Sequence, residues 1–297
     1  MSDATSPNVL IVGCGYTGAR LARRLEPTHE VLGCVATPGS IDRLAAQGIQ
    51  ATVLDLDDAG VSPVDAEWLR GAIVCHLAPP PPAGTEDPRT RRLLELLPAT
   101  PASLLYLSTT GVYGDCEGAV VTEATPIRPA TDRARRRSDA EATVLRWCEA
   151  HDVRPIVLRV PGIYGPGRLP LERLRRGEPV IAAAEAGAGN RIHVDDLVTA
   201  CELAIEQPAA RGIYNVGDGN HASSSVYFAT VARLAGLPAP REITMAEARE
   251  ALPPAMLSFL LESRRVSTAR IRDELGFVPR YAALEDGIRA SLDPPVG

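Results

Sequence analysis

No two cysteines in this chain are spaced C-x-x-C, and none of its five histidines stands in an H-x-x-x-H or related pattern. Protein-held zinc and similar ions need such spacings, so no metal site is expected. The six cysteines, Cys14, Cys34, Cys75, Cys116, Cys148 and Cys201, occur singly, several inside apolar segments, and read as reduced core thiols. No apolar stretch approaches the roughly 20 residues of a membrane-spanning helix. Residues 1–7 are polar and lack the charged and apolar regions of a secretory signal. A cytoplasmic protein with no membrane partner is the expectation. Positive charge is also sparse as a field: the formal net charge is -6, and the one dense basic run lies at 133–137. A nucleic-acid partner would call for a basic domain or stripe, so none is expected.

What is present is enough apolar material for a full core, 45% of 297 residues, in one large domain or a domain with a smaller lobe. The most informative segment comes early. Val9-Leu10-Ile11-Val12 runs into Gly13-Cys14-Gly15-Tyr16-Thr17-Gly18, a G-x-G-x-x-G turn. That spacing suits a strand-to-helix turn in which one glycine makes the bend, one lets a pyrophosphate approach bare backbone, and one lets helix pack on strand. Residues 19–25 follow without glycine or proline, with Leu21 and Leu25 on one helical face, and a second strand is expected at 30–36. Strand, turn, helix and strand in this order predict a dinucleotide site; the plain alternative is a glycine-rich turn that binds nothing.

The alternation continues. After a break at Pro38-Gly39, helices are expected at 41–47, 64–70, 86–97 and 131–150, and strands at 49–54, 72–77, 104–108 and 155–160. A stiff proline run at 79–82 follows the fourth strand and is placed over the cofactor. Strands alternating with helices predict α/β architecture, a Rossmann-like doubly wound parallel sheet with right-handed crossovers and a smaller C-terminal substrate lobe. Residues 1–160 would form the NAD(P)-binding part and 161–297 mainly the substrate lobe, with parts of 190–216 returning to the core.

Several further segments carry a family resemblance. They are Asp55-Leu56, His76-Leu77-Ala78, Ser108-Thr109-Thr110-Gly111-Val112-Tyr113-Gly114, Arg159-Val160-Pro161-Gly162-Ile163-Tyr164-Gly165-Pro166-Gly167, Ile192-His193-Val194-Asp195-Asp196-Leu197 and Ile213-Tyr214-Asn215-Val216-Gly217. In this order they resemble the extended short-chain dehydrogenases/reductases of the NAD-dependent epimerase/dehydratase group over nearly the whole chain. The resemblance implies hydride transfer, with a Ser or Thr hydroxyl, a Tyr and a Lys around the reacting carbonyl. The hydroxyl maps to Thr109. The Tyr-x-x-x-Lys pair, counted back from Glu141, falls on Arg133 and Arg137, so both expected residues are replaced. Arg137 keeps positive charge and donors for the ribose, but a guanidinium is a poor acid or base near neutral pH. The same arginines also read as a solvated helical face beside Asp139 and Glu141. Tyr113 and Tyr164 are the phenols left to substitute, each with a packed structural reading beside it.

For the cofactor, the resemblance and the turn implicate Gly13, Gly15, Tyr16, Thr17, Gly18, Asp55, Leu56, Leu77, Ala78, Pro79, Ser108, Arg137 and Pro161. The second strand ends in Val35-Ala36-Thr37-Pro38-Gly39-Ser40 without the carboxylate that would hold the adenosine ribose, and Thr37, Ser40 or Arg43 can reach a 2'-phosphate, which favours NADP over NAD. Two other departures are Val12 where most extended members have glycine, and Gly162 where nucleotide-sugar enzymes have asparagine. His76 and His193 with Asp195-Asp196 read as structural, the aspartates as helix caps. The expected activity is that of an atypical NAD(P)-dependent oxidoreductase or epimerase-like protein on a small polar or sugar-like substrate. The alternative is a non-catalytic NAD(P)-binding sensor. The resemblance also implies a homodimer, with Leu93, Leu94, Leu97, Val144 and Leu145 as contacts, each of which reads equally as core.

Overall fold

The computed structural model describes residues 6–62, 64–251, 257 and 262–293. Strands β1 (Val9–Val12), β2 (Val31–Val35), β3 (Ala51–Val53), β4 (Ile73–His76) and β5 (Ser103–Thr109) alternate with helices α1 (Tyr16–Leu25), α2 (Pro38–Ala45), α3 (Ala66–Leu69) and α4 (Pro88–Leu96). A 3-10 turn (Thr110–Tyr113) and the short β6 (Val120–Val121) precede α5 (Asp132–Ala150) and β7 (Arg154–Val160). Then come β8 (Gly162–Tyr164), α6 (Leu171–Arg175), β9 (Val180–Ile181), β10 (Arg191–His193), α7 (Val194–Glu206) and β11 (Gly212–Asn215). The described chain continues with α8 (Ser224–Leu234), β12 (Glu242–Ile243), α9 (Met245–Ala251) and β13 (Arg265–Val266). Two helices close it, α10 (Ala269–Leu275) and α11 (Leu284–Leu292).

Seven strands make one parallel sheet in the order β11-β7-β5-β4-β1-β2-β3. Successive side chains of a strand point to opposite faces, and here both faces are apolar. Val9, Ile11, Ile73, Cys75, Leu105, Leu107, Ile156 and Leu158 enter one core with Leu21 and Leu25 of α1 and Leu197 and Cys201 of α7. Leu10, Val12, Val74, Leu104, Tyr106 and Val157 enter the other with Leu93 and Leu94 of α4 and Ala140, Val144 and Cys148 of α5. Leu93, Leu94 and Val144 are therefore interior side chains of the single chain, which removes them from the expected dimer contacts; Leu97 and Leu145 are partly buried against the same core. The thiols of Cys14, Cys34 and Cys201 lie in these cores, and burial pushes each up to about 12.

Element boundaries moved where local chemistry outweighed hydrophobic period. Pro38-Gly39, expected to break the chain, instead opens α2, because proline at the first helical position has its φ preset and no N–H to leave unpaired. α7 is capped by His193, whose Nδ1 accepts from the Asp195 N–H at 3.2 Å, and not by the aspartates. Asp196 instead accepts from the backbone N–H groups of Arg280 and Tyr281, tying the C-terminal segment to α7.

Chain order and spatial grouping diverge after residue 160. β11 extends the central sheet, and Ile271, Leu275 and Phe277 enter its first core. Tyr164, Leu174, Val231, Ala232, Leu284 and Ile288 form a separate small core. The parallel pair β6–β13 joins the loop after β5 to the C-terminal segment.

His76 at the end of β4 is 1% exposed. Its Nε2 lies 2.8 Å from Thr90 Oγ1, whose own hydrogen goes to Asp87 Oδ2 at 2.7 Å, so the ring donates from Nε2 and its buried Nδ1 has no partner. Burial, and then the nearby Arg137 charge, hold its pKa down to about 3. An unfolded histidine protonates near pH 6.5. The unfolded state thus binds the extra proton between those values, and His76's contribution is complete above about pH 6.5 and lost as pH falls, by up to about 1.4 kcal/mol per unit. Urea melts at pH 7.5, 6 and 5 should show a shallower pH slope for His76→Gln than for the wild type. Equal slopes would mean that His76 is not held neutral.

Candidate functional site

The three glycines of the first turn do different work. Gly13 has φ +85°, and a Cβ there would stand 2.4 Å from Ala78 N, so the turn lies directly against the backbone after β4. A Cβ on Gly18 would stand 2.9 Å from Gly13 O and 3.1 Å from the Ile11 side chain, which is the close helix-to-strand approach the spacing anticipated. A Cβ on Gly15 would meet nothing nearer than Gly13 O at 4.0 Å. No side chain caps α1 behind Gly15, so its first-turn N–H groups are left for a ligand or water. Open space at a bare helix start is the shape a pyrophosphate needs. Thr17 is buried, and the Tyr16 hydroxyl donates to Pro166 O at 3.0 Å while its ring lies between the guanidiniums of Arg20 and Arg168, 4.1 and 4.0 Å from its centroid. The Tyr16 side chain thus ties the turn to the loop after β8.

After β3, Asp55 Oδ1 accepts from the Asp57 N–H at 3.0 Å, so this carboxylate caps its own turn, and Leu56 packs partly on the second core. Asp57 holds Arg89 by two hydrogen bonds, of 2.8 and 2.5 Å, and Arg89 also donates to Pro79 O at 3.0 Å. Arg136 donates to Gly84 O at 2.5 Å. The proline-rich loop is therefore pinned at both ends by α4 and α5. Beyond β2, the exposed hydroxyls of Thr37 and Ser40 lie 3.0 Å apart, and Arg43 donates to Ser40 Oγ at 3.0 Å.

At the carboxyl ends of β5 and β7 a cleft of ≈ 160 Å³ is lined by Thr109, Thr110, Arg133, Pro161, Gly162, Asn190, Ser224, Glu262 and Arg264, with the small-residue stretch 186–189 as one wall. Thr109 Oγ1 accepts from the Gly111 N–H at 3.1 Å, which fixes the oxygen and leaves the hydroxyl hydrogen to donate. Arg133 lines the same cleft. Arg137, one helical turn on, donates from Nη1 to Leu107 O at 2.6 Å and to the Tyr106 hydroxyl at 3.2 Å, and its Nε and Nη2 have no partner among the described residues. All 31 basic side chains of this protein are arginine, so no lysine elsewhere in the chain can take the missing position.

Three expected site residues are committed elsewhere. The Tyr113 hydroxyl is buried, donating to Asn215 Oδ1 at 2.7 Å and accepting from Arg159 Nη1 at 3.0 Å. Tyr164 is 3% exposed in the small core, packed against Gly287 and edge-on to His193, with burial raising its pKa. Neither phenol lines the cleft, because each ring was drawn into a core by its neighbours. The Ser108 hydroxyl donates to the buried Glu141 carboxylate, so it has no hydrogen left for a cofactor. The cleft residues that sequence reasoning missed, Asn190, Ser224 and Arg264, come from separate loops and carry no local signal beyond the glycines at 187 and 189. A Cβ on Gly187 would stand 2.8 Å from Ser263 Oγ, and one on Gly189 2.5 Å from Ala222 O.

A glycine turn at the first strand-to-helix junction of a doubly wound parallel sheet, with a cleft at the strands' carboxyl ends, defines a Rossmann-type α/β protein. The chain belongs to the NAD dependent epimerase/dehydratase family, whose model matches residues 9–217. It is similar to Protein YeeZ of Escherichia coli (strain K12), 28% identical over 282 residues, which cover 92% of this chain and 96% of that protein. A functionally unknown conserved protein from Silicibacter pomeroyi has a similar solved structure, with TM-score 0.81 and 30% identity, covering 97% of this chain and 98% of that one. UDP-glucuronic acid 4-epimerase from Bacillus cereus, solved in complex with NAD, shares the fold at TM-score 0.75 and 18% identity, covering 96% of this chain and 97% of that one. Among the described residues no helix is long and apolar enough to cross a membrane, and no cluster of metal-ligating side chains occurs.

Proposed function

We propose that this protein is a nicotinamide-dinucleotide-dependent oxidoreductase that acts on a small polar carbonyl or alcohol substrate, with Thr109 as the polarising hydroxyl. The observation that carries the reading is the placement of Thr109 in the cleft, its oxygen fixed by Gly111 and its hydrogen free. A bound nicotinamide would supply or accept the hydride. Thr109 would donate to the substrate oxygen where negative charge develops, and the Arg133 guanidinium on the same wall would add fixed positive charge. A guanidinium is a poor acid or base near neutral pH, so Arg133 would orient and stabilise without exchanging a proton. Arg137, with Nε and Nη2 unpartnered, would hold the nicotinamide ribose.

NADP is the preferred cofactor in this reading. The end of β2 has no carboxylate to repel a 2'-phosphate, and the linked Thr37, Ser40 and Arg43 offer two hydroxyls and a guanidinium to receive one. Gly162 and the small cleft volume speak against a nucleotide-sugar substrate. The absence of any tyrosine-lysine pair favours a second reading, a non-catalytic NAD(P) sensor. Cofactor-saturated protein screened against small aldehydes, ketones and hydroxy compounds separates the two. Turnover reduced at least about 100-fold by Thr109→Val, equivalent to about 2.7 kcal/mol of lost transition-state stabilisation, is the expected result. Unchanged turnover in the variant would remove Thr109 from the chemistry, and cofactor binding with no turnover on any substrate would leave the sensor.

A further inference from the structure

We infer that the cleft recognises a small carboxylate-bearing substrate, whose carboxylate pairs with Arg133; the inference rests on the substrate cleft of the proposed function and names its ligand chemistry. Among the described residues three charged side chains line the cleft, Arg133, Glu262 and Arg264. Glu262 and Arg264 neutralise each other at 2.9 Å, and Arg264 also donates to Gly114 O at 2.5 Å. Arg133 has no hydrogen bond or ion pair among the described residues, so the cleft wall carries one uncompensated positive charge.

The ordinary explanation for such an arginine is a solvated helical face, and its neighbours show how this helix treats its other arginines. Arg135 pairs with Asp132 at 2.7 Å, Arg136 donates to Gly84 O, and Arg137 donates to Leu107 O. Arg133 differs from each of them in facing the cleft unpaired, beside Thr109 and Thr110. A guanidinium is a planar fork of fixed donors that matches a carboxylate with two parallel hydrogen bonds. One unbalanced positive charge also suits the single negative charge of a carboxylate better than the charge of about -1.5 to -2 on a phosphate monoester. The volume of ≈ 160 Å³ is that of a cavity that holds one benzene-sized molecule. Arg133 thus turns the position of the family's phenol from proton exchange to anion recognition.

The test is calorimetric titration of the full chain, with and without saturating NADPH, using pyruvate, benzoate and succinate, the corresponding neutral amides, and phenyl phosphate as probes. At least one acid should bind ten-fold or more tightly than its amide and than phenyl phosphate. Arg133→Gln, at an exposed position, should remove that preference, and Arg133→Lys should restore part of it, with NADPH affinity within two-fold of wild type in both. No acid binding in either arm, equal binding of acids and amides, a preference for phenyl phosphate, or a preference that survives Arg133→Gln would each overturn the inference. Failure of NADPH itself to bind would instead count against the cofactor reading, and the cofactor-free arm still decides the anion site.

Discussion

Gly15→Asp is expected to abolish dinucleotide binding in a protein that remains folded. The fold has room for the first atom of the added side chain, since a Cβ at Gly15 would stand 4.0 Å from Gly13 O. It does put a carboxylate at the uncapped start of α1, in the space where a pyrophosphate would take up the first-turn N–H groups. Like charge and lost donors together should weaken NADPH and NADH by at least about 100-fold, or about 2.7 kcal/mol. Calorimetry should show a wild-type preference for NADPH and no measurable heat for either cofactor in the variant, with a Tm within a few degrees of wild type. Retained binding would place the dinucleotide elsewhere. Gly13→Ala is a contrasting control, because its methyl would collide with the backbone of residues 77 and 78 and its φ of +85° is unfavourable for alanine. It should damage stability before it damages binding.

Glu141→Ala is expected to be strongly destabilising. Glu141 and Arg159 are each 3% exposed and joined at 2.7 Å, with Ser108 donating to the same carboxylate and Arg159 donating onward to Tyr113. Through these bonds α5, the ends of β5 and β7, the 3-10 turn and Asn215 of β11 are held together beneath the cleft. Removing the carboxylate leaves a buried guanidinium without its counter-charge, a loss of about 3–5 kcal/mol. Native proteins are stable by only about 5–15 kcal/mol. Urea denaturation should therefore show a large shift in midpoint, and Tm should fall by roughly 5–10 °C. The double replacement Glu141→Leu with Arg159→Leu should recover part of that loss, because it removes the orphaned charge as well. A loss below about 1 kcal/mol for Glu141→Ala would mean that the pair is hydrated and not the internal tie described above.

Gly13, Gly15 and Gly18 were legible because each requirement is local: one bend, one opening and one close approach within six residues of chain. Six of the sheet's seven strands were legible because most are apolar runs buried on both faces; the seventh, β11, was legible only as a return of 190–216 to the core. Asp55 was legible as a strand-end residue, and one of its carboxylate oxygens caps its own turn. Tyr113 and Tyr164 take their packed reading and not the cleft, because the direction of a phenol depends on Arg159 and Asn215 in one case and on Gly287 and His193 in the other, all far away in sequence. Asn190, Ser224 and Arg264 were missed for the same reason, since three loops must meet before they form a wall.

By itself the sequence determined the alternating α/β plan, the glycine turn at its head and a basic complement of arginine without lysine. Tertiary structure alone decided which polar side chains are structural ties and which face the cleft: Glu141, Arg159, Ser108 and Tyr113 were taken into the interior, and Thr109 and Arg133 were left open to it. Strand period and glycine spacing are set by neighbours along the chain. The fate of a polar group is set by whether distant segments bring it a partner, because a buried donor or charge must be paired there or turn toward water.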